Sequence, residues 1–249
     1  MILDKDIELL EGLPIAYIKS IDAFVVSDLH LGYETKLAKN GVFIPKVNVR
    51  KIISDFEKGL RFKKPGKIIV VGDIKNDFST VDVDEFNELH EIVKFCNEKK
   101  IELILIKGNH DNFIERYRGP FKIKIYNNEA KIGDYFFAHG DKLPKFPKEK
   151  IKFLITGHEH PSIGILNSIG RVERLRCFLS GKYENINLLV LPAISYFASG
   201  SEINFAPKGN LISPILRSTS MDTMHAIAIG YGSTLDFGTI ADLRKISAR

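Results

Sequence analysis

Apolar residues recur along this chain in two rhythms, and the rhythm changes near residue 120. Before that point, short apolar runs alternate with stretches of helical spacing. Residues 15–27 read as strand material that stops at Asp28. Over 46–62, Val49, Ile52, Ile53, Phe56 and Leu60 fall on one helical face, and Lys63-Lys64-Pro65-Gly66 breaks the helix. A strand over 67–71 follows, then a helix over about 82–99 with Val83, Phe86, Leu89 and Val93 as its stripe, then a strand over 101–106. This β–α–β–α–β order predicts a parallel or mixed sheet with helices on its faces. Beyond residue 120 the helical pattern fades. FKIKIY, KIGDYFFAHG, KIKFLITG, RLRCFLSG and NLLVLPA read as short strands between turns, which implies a second sheet packed on the first. The tail, MHAIAIGYGSTLDFGTIADLRK, reads as a β-hairpin turning near Gly230–Ser233 and ending in a short basic segment. No linker or repeat stands out. The expectation is an α/β fold in a single domain over 1–249, with a motif-bearing core over 22–200 and a C-terminal extension over 201–249.

Five of the apolar runs, AFVVS, KIIVV, ELILIK, DYFFA and KFLIT, lead into residues that carry chemistry. The motifs are Asp28-Leu29-His30, Gly72-Asp73, Gly108-Asn109-His110-Asp111, His139-Gly140-Asp141 and Gly157-His158-Glu159-His160, and they take five of the seven histidines. Open α/β sheets bind ligands at the carboxyl ends of their strands. On an extended exit from a strand, residues two apart point the same way, so Asp28 with His30, and His158 with His160, are each expected to reach one ion. Asp28, His30, Asp73, Asn109, His139, His158 and His160 form a mixed nitrogen and oxygen donor set. Such a set suits two divalent transition-metal ions, Mn²⁺ first, then Fe, Zn, Co or Ni. Seven donors exceed one tetrahedral ion and suit a pair about 3.5–4 Å apart, with Asp73 as the natural bridge. Two divalent ions against two carboxylates and a hydroxide leave a net positive site, which attracts a phosphate. His110 adjoins Asn109 and is placed to act as general acid, with Asp111 orienting its imidazole. Lys75 and Lys142 are candidates to meet a substrate phosphate. Lys142, Lys145, Lys148, Lys150 and Lys152 read either as a basic rim for a polyanion or as a solvated loop. Asp141, Glu159, His90 and His225 read as structural or solvent-facing.

Composition changes this picture little. A net charge of +5 fits a polyanionic substrate without requiring one. No apolar run approaches the roughly 20 residues that span a bilayer, and the acidic start MILDKDIELLEG lacks the basic opening of a secretory signal. A cytoplasmic setting is expected, with no membrane contact. Cys96 and Cys177 read as two buried free thiols, and the lack of a CxxC pair argues against a thiolate zinc site. Absence of Gln and Trp beside abundant Lys, Glu and Ile looks thermophilic, although a low-GC coding bias gives the same look.

The string D-x-H, GD, GNHD, H and GHEH over residues 28–160 resembles the calcineurin-like metallophosphoesterase superfamily. That resemblance implies a sandwich of two mixed β-sheets flanked by helices, with a C-terminal β-hairpin here. It implies one metal held by Asp28, His30, Asp73 and His160, another held by Asp73, Asn109, His139 and His158, and His110 as the catalytic histidine. Asn76 stands where the family pattern GD-x-x-D has its second Asp, with Asp77 one place on. SDLHLGYE (27–34) and the late LPA…SP…L segment look like archaeal phosphoesterases related to SbcD-type nucleases, and like small phosphoesterases associated with DNA ligase genes. The expected activity is phosphodiester hydrolysis, nuclease action included, by metal-bound hydroxide with His110 as general acid. A phosphomonoesterase, a nucleotide pyrophosphatase and a non-catalytic scaffold on the same fold are the alternatives. SbcD-type nucleases carry an added DNA-contacting region after GHEH, and this chain has room there only for a few strands and a hairpin. The expected partners are therefore a phosphoester, a nucleotide or a short nucleic acid, and a dimer is compatible with the sequence.

Overall fold

The computed structural model describes residues 1–78, 83–166, 169–198 and 200–247. The first sheet begins with β1 (Ile7–Leu9), β2 (Ala16–Ile18) and β3 (Ala23–Val26), paired antiparallel in that order. Residues 15–27 are thus two strands and not one. Asp22 turns the chain between them at φ 48°, and Asp6 holds the turn through the Ser20 N–H at 2.8 Å. Two helices, α1 (Tyr33–Lys39) and α2 (Asn48–Phe62), lead to β4 (Lys67–Val71), which lies parallel to β3. Helix α3 (Val83–Lys99) then leads to β5 (Glu102–Ile106), and a short turn with α4 (Arg118–Phe121) leads to β6 (Lys124–Tyr126), both added in parallel. The sheet order is β1-β2-β3-β4-β5-β6. The sequence does not announce α1, because it has no apolar stripe and its buried residue is Glu34.

The second sheet contains β7 (Glu129–Ile132), β8 (Tyr135–Ala138), β9 (Phe153–Thr156), β10 (Ser162–Leu166), β11 (Val172–Tyr183), β12 (Ile186–Val190), β13 (His225–Gly230) and β14 (Ser233–Thr239). Its order is β14-β13-β11-β12-β9-β8-β7, with β10 paired to β11. Strands β8, β9 and β12 run parallel and the remaining pairs antiparallel. Between β12 and β13 lies α5 (Pro214–Ser218). The hairpin β13–β14 turns at Gly230–Ser233 as expected. The basic segment after it is a helix, α6 (Ile240–Ser247), which buries Ile240 and Leu243.

Strand parity sorts the buried side chains into layers. Phe24, Val26, Ile68, Val70, Leu103 and Leu105 face α2 and α3, where Ile52, Phe56, Leu89 and Ile92 meet them. Val25, Ile69, Val71, Ile104 and Ile106 face the other sheet and meet Tyr135, Phe137, Phe153, Ile155 and Leu189. The far side of the second sheet presents Phe136, Leu154, Leu188 and Val190 to Ile215, Leu216, Ile240 and Leu243. The result is an α/β/β/α sandwich. Each such side chain removed from water contributes about 1.5–3 kcal/mol. Cys96 and Cys177 are both buried and unbridged.

Polar groups also hold α3 to the loop after β3. Glu88 accepts the Gly32 N–H at 2.8 Å. Burial, aided by Glu34 and Asp84 and opposed by the Gly32 N–H and Lys46, pushes its carboxyl from 4.5 up to about 7. The folded state therefore prefers the protonated acid. Its contribution is complete below pH 4.5 and is lost as pH rises through about 7. Glu88→Gln keeps the acceptor without the ionisation. The variant is expected to be more stable than wild type by about 1–2 kcal/mol at pH 8, with no such gain at pH 4. Urea midpoints at the two pH values check this, and a wild type more stable at pH 8 refutes it.

Candidate metal centre

Strands β3, β4, β5, β8 and β9 all deliver their last residues to one place, and the backbone there is bent out of extension. Asp28, His30, Asp73, His158 and His160 have φ of 58°, 47°, 49°, 69° and 48°. Left-handed backbone is uncommon outside glycine, with Asn, Asp and His its most frequent other occupants, and it persists where the surroundings over-determine it. Here cross-strand hydrogen bonds do so. The Asp28 N–H donates to Gly72 O at 3.1 Å, the His30 N–H to Asp73 O at 3.0 Å and the Gly157 N–H to His139 O at 2.8 Å. Asn48 at the start of α2 donates to Leu29 O at 2.9 Å. The expected extended exit is therefore corrected. Asp28 and His30 converge because both are turned, and His158 and His160 diverge into separate groups.

Close approach explains the glycine that opens two of the motifs. A methyl group at Gly72 would collide with the His139 ring, and one at Gly157 with Ser27 Oγ and the Asp28 carboxylate. Each glycine clears space for a donor from another strand.

Two trios of donor atoms result. Asp28, His30 and His160 form one and Asp73, His139 and His158 the other, with the atoms of each within 4.8 Å of one another. In the first, His160 Nε2 stands 3.1 Å from Asp28 Oδ1 and 3.2 Å from His30 Nε2. In the second, His139 Nε2 stands 3.2 Å from Asp73 Oδ2, 3.2 Å from His158 Nδ1 and 3.1 Å from Asn109 Oδ1. His30, Asp73 and His110 also group, joining the two. Asp28 Oδ1 and His30 Nδ1 are buried without a hydrogen-bond partner. Imidazole nitrogens facing one another, beside buried carboxylates with an orphaned oxygen, fit divalent cations of intermediate softness.

The protonation pattern agrees. Burial would raise the Asp28 and Asp73 carboxyls, yet His160 and His139 hold both below the ordinary value. Burial pushes His30 and His158 down to about 4, so they are neutral donors. Burial also works against a charge on His139 and His160, but Asp73 pushes the first up to about 10 and Asp28 raises the second. A cation must displace the protons on these two rings, so loading is favoured by higher pH.

His110 differs from the rest. Its Nδ1 donates to Asn76 O at 2.8 Å, which leaves Nε2 facing the centre, 3.7 Å from Asp73 Oδ2. Its backbone N–H donates to Asp73 Oδ1 at 2.9 Å, and Phe78 lies on its ring with centroids 3.6 Å apart. Two expectations are corrected here. Asp111 does not orient the imidazole. Its oxygens accept the N–H groups of Ile74, Lys75 and Gly108 at 2.9, 3.0 and 2.8 Å, so it pins the β4 and β5 loops together. Burial and Asp73 push its carboxyl up to about 6. Lys75 does not face a substrate. It is buried, with Nζ donating to Asp77 O at 2.8 Å and Asn112 O at 3.3 Å, and Glu85 Oε2 at 3.5 Å. Lys75→Met is expected to lose about 3 kcal/mol of stability in urea unfolding, because it leaves a buried charge uncompensated. A loss within 0.5 kcal/mol of zero would place this lysine at the surface after all.

Lys142 is exposed beside Asp141 at 3.6 Å, and with Lys145 and His139 it lines a cavity of about 300 Å³ next to the second trio. Glu159 is buried and accepts from Ser201 Oγ and the Ser213 N–H at 2.5 and 2.8 Å. His90 stacks on Phe121 and His225 pairs with Asp236, both outside the donor groups. Sequence reasoning missed Asn48, a polar residue at the head of an amphipathic helix.

A two-sheet α/β sandwich with Asp and His donors at its strand ends defines a metallophosphoesterase. The chain belongs to the calcineurin-like phosphoesterase family, whose profile matches residues 23–150. Among solved structures it is similar to the nuclease MPE of Pseudomonas putida, with a TM-score of 0.62 and 19% identity over 91% of this chain and 94% of that one. It is also similar to YfcE, a phosphoesterase from E. coli, with a TM-score of 0.42 and 14% identity over 87% of this chain and 98% of that one. At such identities the likeness to the nuclease is one of fold. No curated protein matches. Among the described residues, no helix is long and apolar enough to cross a membrane.

Proposed function

We propose that this chain hydrolyses phosphodiester bonds with two divalent cations, Mn²⁺ first among them. Asp28, His30, Asp73 and His160 would hold one cation, and Asp73, Asn109, His139 and His158 the other. The observation that carries the reading is that the His30, Asp73 and His110 group joins the two donor trios, with His110 Nε2 3.7 Å from the Asp73 carboxylate. Bound there, such ions polarise a phosphoryl oxygen and lower the pKa of water. The chain's own part follows from its geometry. Asn76 O fixes the His110 tautomer, so the protonated ring presents Nε2–H to the departing oxygen as general acid. Asp111 keeps the loops of Asp73 and His110 in register.

A diester is favoured over a monoester because, among the described residues lining the cavity beside the first trio, His30, Tyr33, Asn76, His160, Phe197 and Ala198, none is a Lys or Arg for a dianion. Lys142 and Lys145 on the opposite side suit a chain that continues past the scissile bond. The SDLHLGYE segment supports a narrower kinship with SbcD-related and ligase-associated phosphoesterases. Protein stripped of metal and reloaded with Mn²⁺ is expected to turn over bis-p-nitrophenyl phosphate faster than p-nitrophenyl phosphate. Monoester preference would make it a phosphatase. Silence on both with metal bound would favour the scaffold.

A further inference from the structure

The cavity on the His30–His160 side has a volume of about 210 Å³ and is open to solvent. Two of its walls are donor imidazoles, so a group placed in it adjoins the metal centre. Of the other four lining residues, Tyr33 and Phe197 are aromatic. Tyr33 and Phe197 stack with centroids 5.3 Å apart and planes 9° apart. Tyr196 meets Phe197 edge-on at 5.2 Å and is 54% exposed, with Lys51 Nζ 5.5 Å from its ring. Two stacked rings lining a polar site, with an exposed third ring against one of them, are not core packing.

These rings are held by the same backbone that holds the donors. The Ile194 N–H donates to Ser27 O at 2.9 Å and the Ser195 N–H to Asp28 O at 3.1 Å. Asn48 Oδ1 accepts the Tyr196 N–H at 2.9 Å, and Arg176 Nη1 donates to Ala193 O at 3.1 Å and Ser195 O at 3.2 Å. Tyr33 follows His30 across Gly32, which is left-handed at φ 80°. The segment leading to Phe197 is therefore tied to the backbone at Asp28, which fixes where the stack begins relative to the donors.

Rigid aromatic side chains beside a phosphate-binding centre are how proteins hold unpaired bases. We propose that this cavity is a nucleobase subsite. A base attached to the scissile phosphodiester extends the Tyr33–Phe197 stack, and Asn76 forms the polar side. The site is smaller than the roughly 300–1,000 Å³ of a drug-sized pocket, which suits one splayed-out base. This inference rests on the phosphodiesterase reading and narrows its substrate to nucleotide diesters with an unpaired base.

The test compares two diesters with the same leaving group, thymidine 5′-p-nitrophenyl phosphate and methyl p-nitrophenyl phosphate, on Mn²⁺-loaded protein. The kcat/KM ratio is expected to favour the thymidine ester about tenfold or more, and to fall at least about fivefold in Phe197→Leu and Tyr33→Leu. Equal rates on the two esters in wild type would overturn the subsite and leave the phosphodiesterase standing. No turnover of either would sink the phosphodiesterase, and a second readout then decides the subsite alone. A short single-stranded oligonucleotide carrying 2-aminopurine is added to metal-stripped protein. Its fluorescence is expected to be quenched by wild type and much less by Phe197→Leu. Unchanged fluorescence with wild type would overturn the proposal.

Discussion

Asp73→Asn is expected to lower kcat/KM at least about 1,000-fold, roughly 4 kcal/mol of transition-state stabilisation, and to empty both metal positions together. The substitution preserves volume and one oxygen, so it tests charge more than packing. Asp73 is suited to this test because its two oxygens serve different neighbours. Oδ1 accepts the His110 N–H at 2.9 Å, while Oδ2 lies 3.2 Å from His139 Nε2 and 3.7 Å from His110 Nε2. An amide there carries no charge to offset two cations and offers one oxygen where the carboxylate offers two. Metal content after dialysis, read by mass spectrometry beside an unchanged far-UV spectrum, checks the result. Loss of one ion with retention of the other would remove Asp73 from the bridging position.

The second large effect is expected at His110. His110→Gln should lower kcat about 10²–10⁴-fold for diesters whose leaving group is an alkoxide, and far less for p-nitrophenolate, which departs as a stable anion. Metal content should be retained. An equal loss on every leaving group would show instead that His110 holds a cation with His30 and Asp73, a grouping the geometry permits.

These two residues were legible before any fold was known, and the reason is physical. A strand buried on both faces needs an unbroken apolar run, so KIIVV and ELILIK announce β4 and β5 and make the first polar residues beyond them conspicuous. Glycines were legible as motif members but not for their cause, since the ring that Gly72 clears belongs to His139 in the other sheet. Lys75 and Asp111 were misread for a shared reason. Neighbours in a turn do not share a direction, and a polar loop residue has interior partners only when another element supplies them. For Lys75 that element is α3, through Glu85. For Asp111 it is the backbone of the β4 loop.

What the sequence determined by itself was the layered α/β class, the strand ends that carry chemistry, and the donor types that belong to divalent cations. Those properties are local, because side-chain periodicity and donor chemistry need no partner. Tertiary structure alone decided which nitrogen of His110 faces the centre and which aromatic rings stand beside it. Tyr196 is held by Asn48 at a separation of 148 residues, and Tyr33 meets Phe197 only because β3 and the segment after β12 are hydrogen-bonded side by side. Such contacts are set by packing two sheets face to face, and no spacing along the chain encodes them.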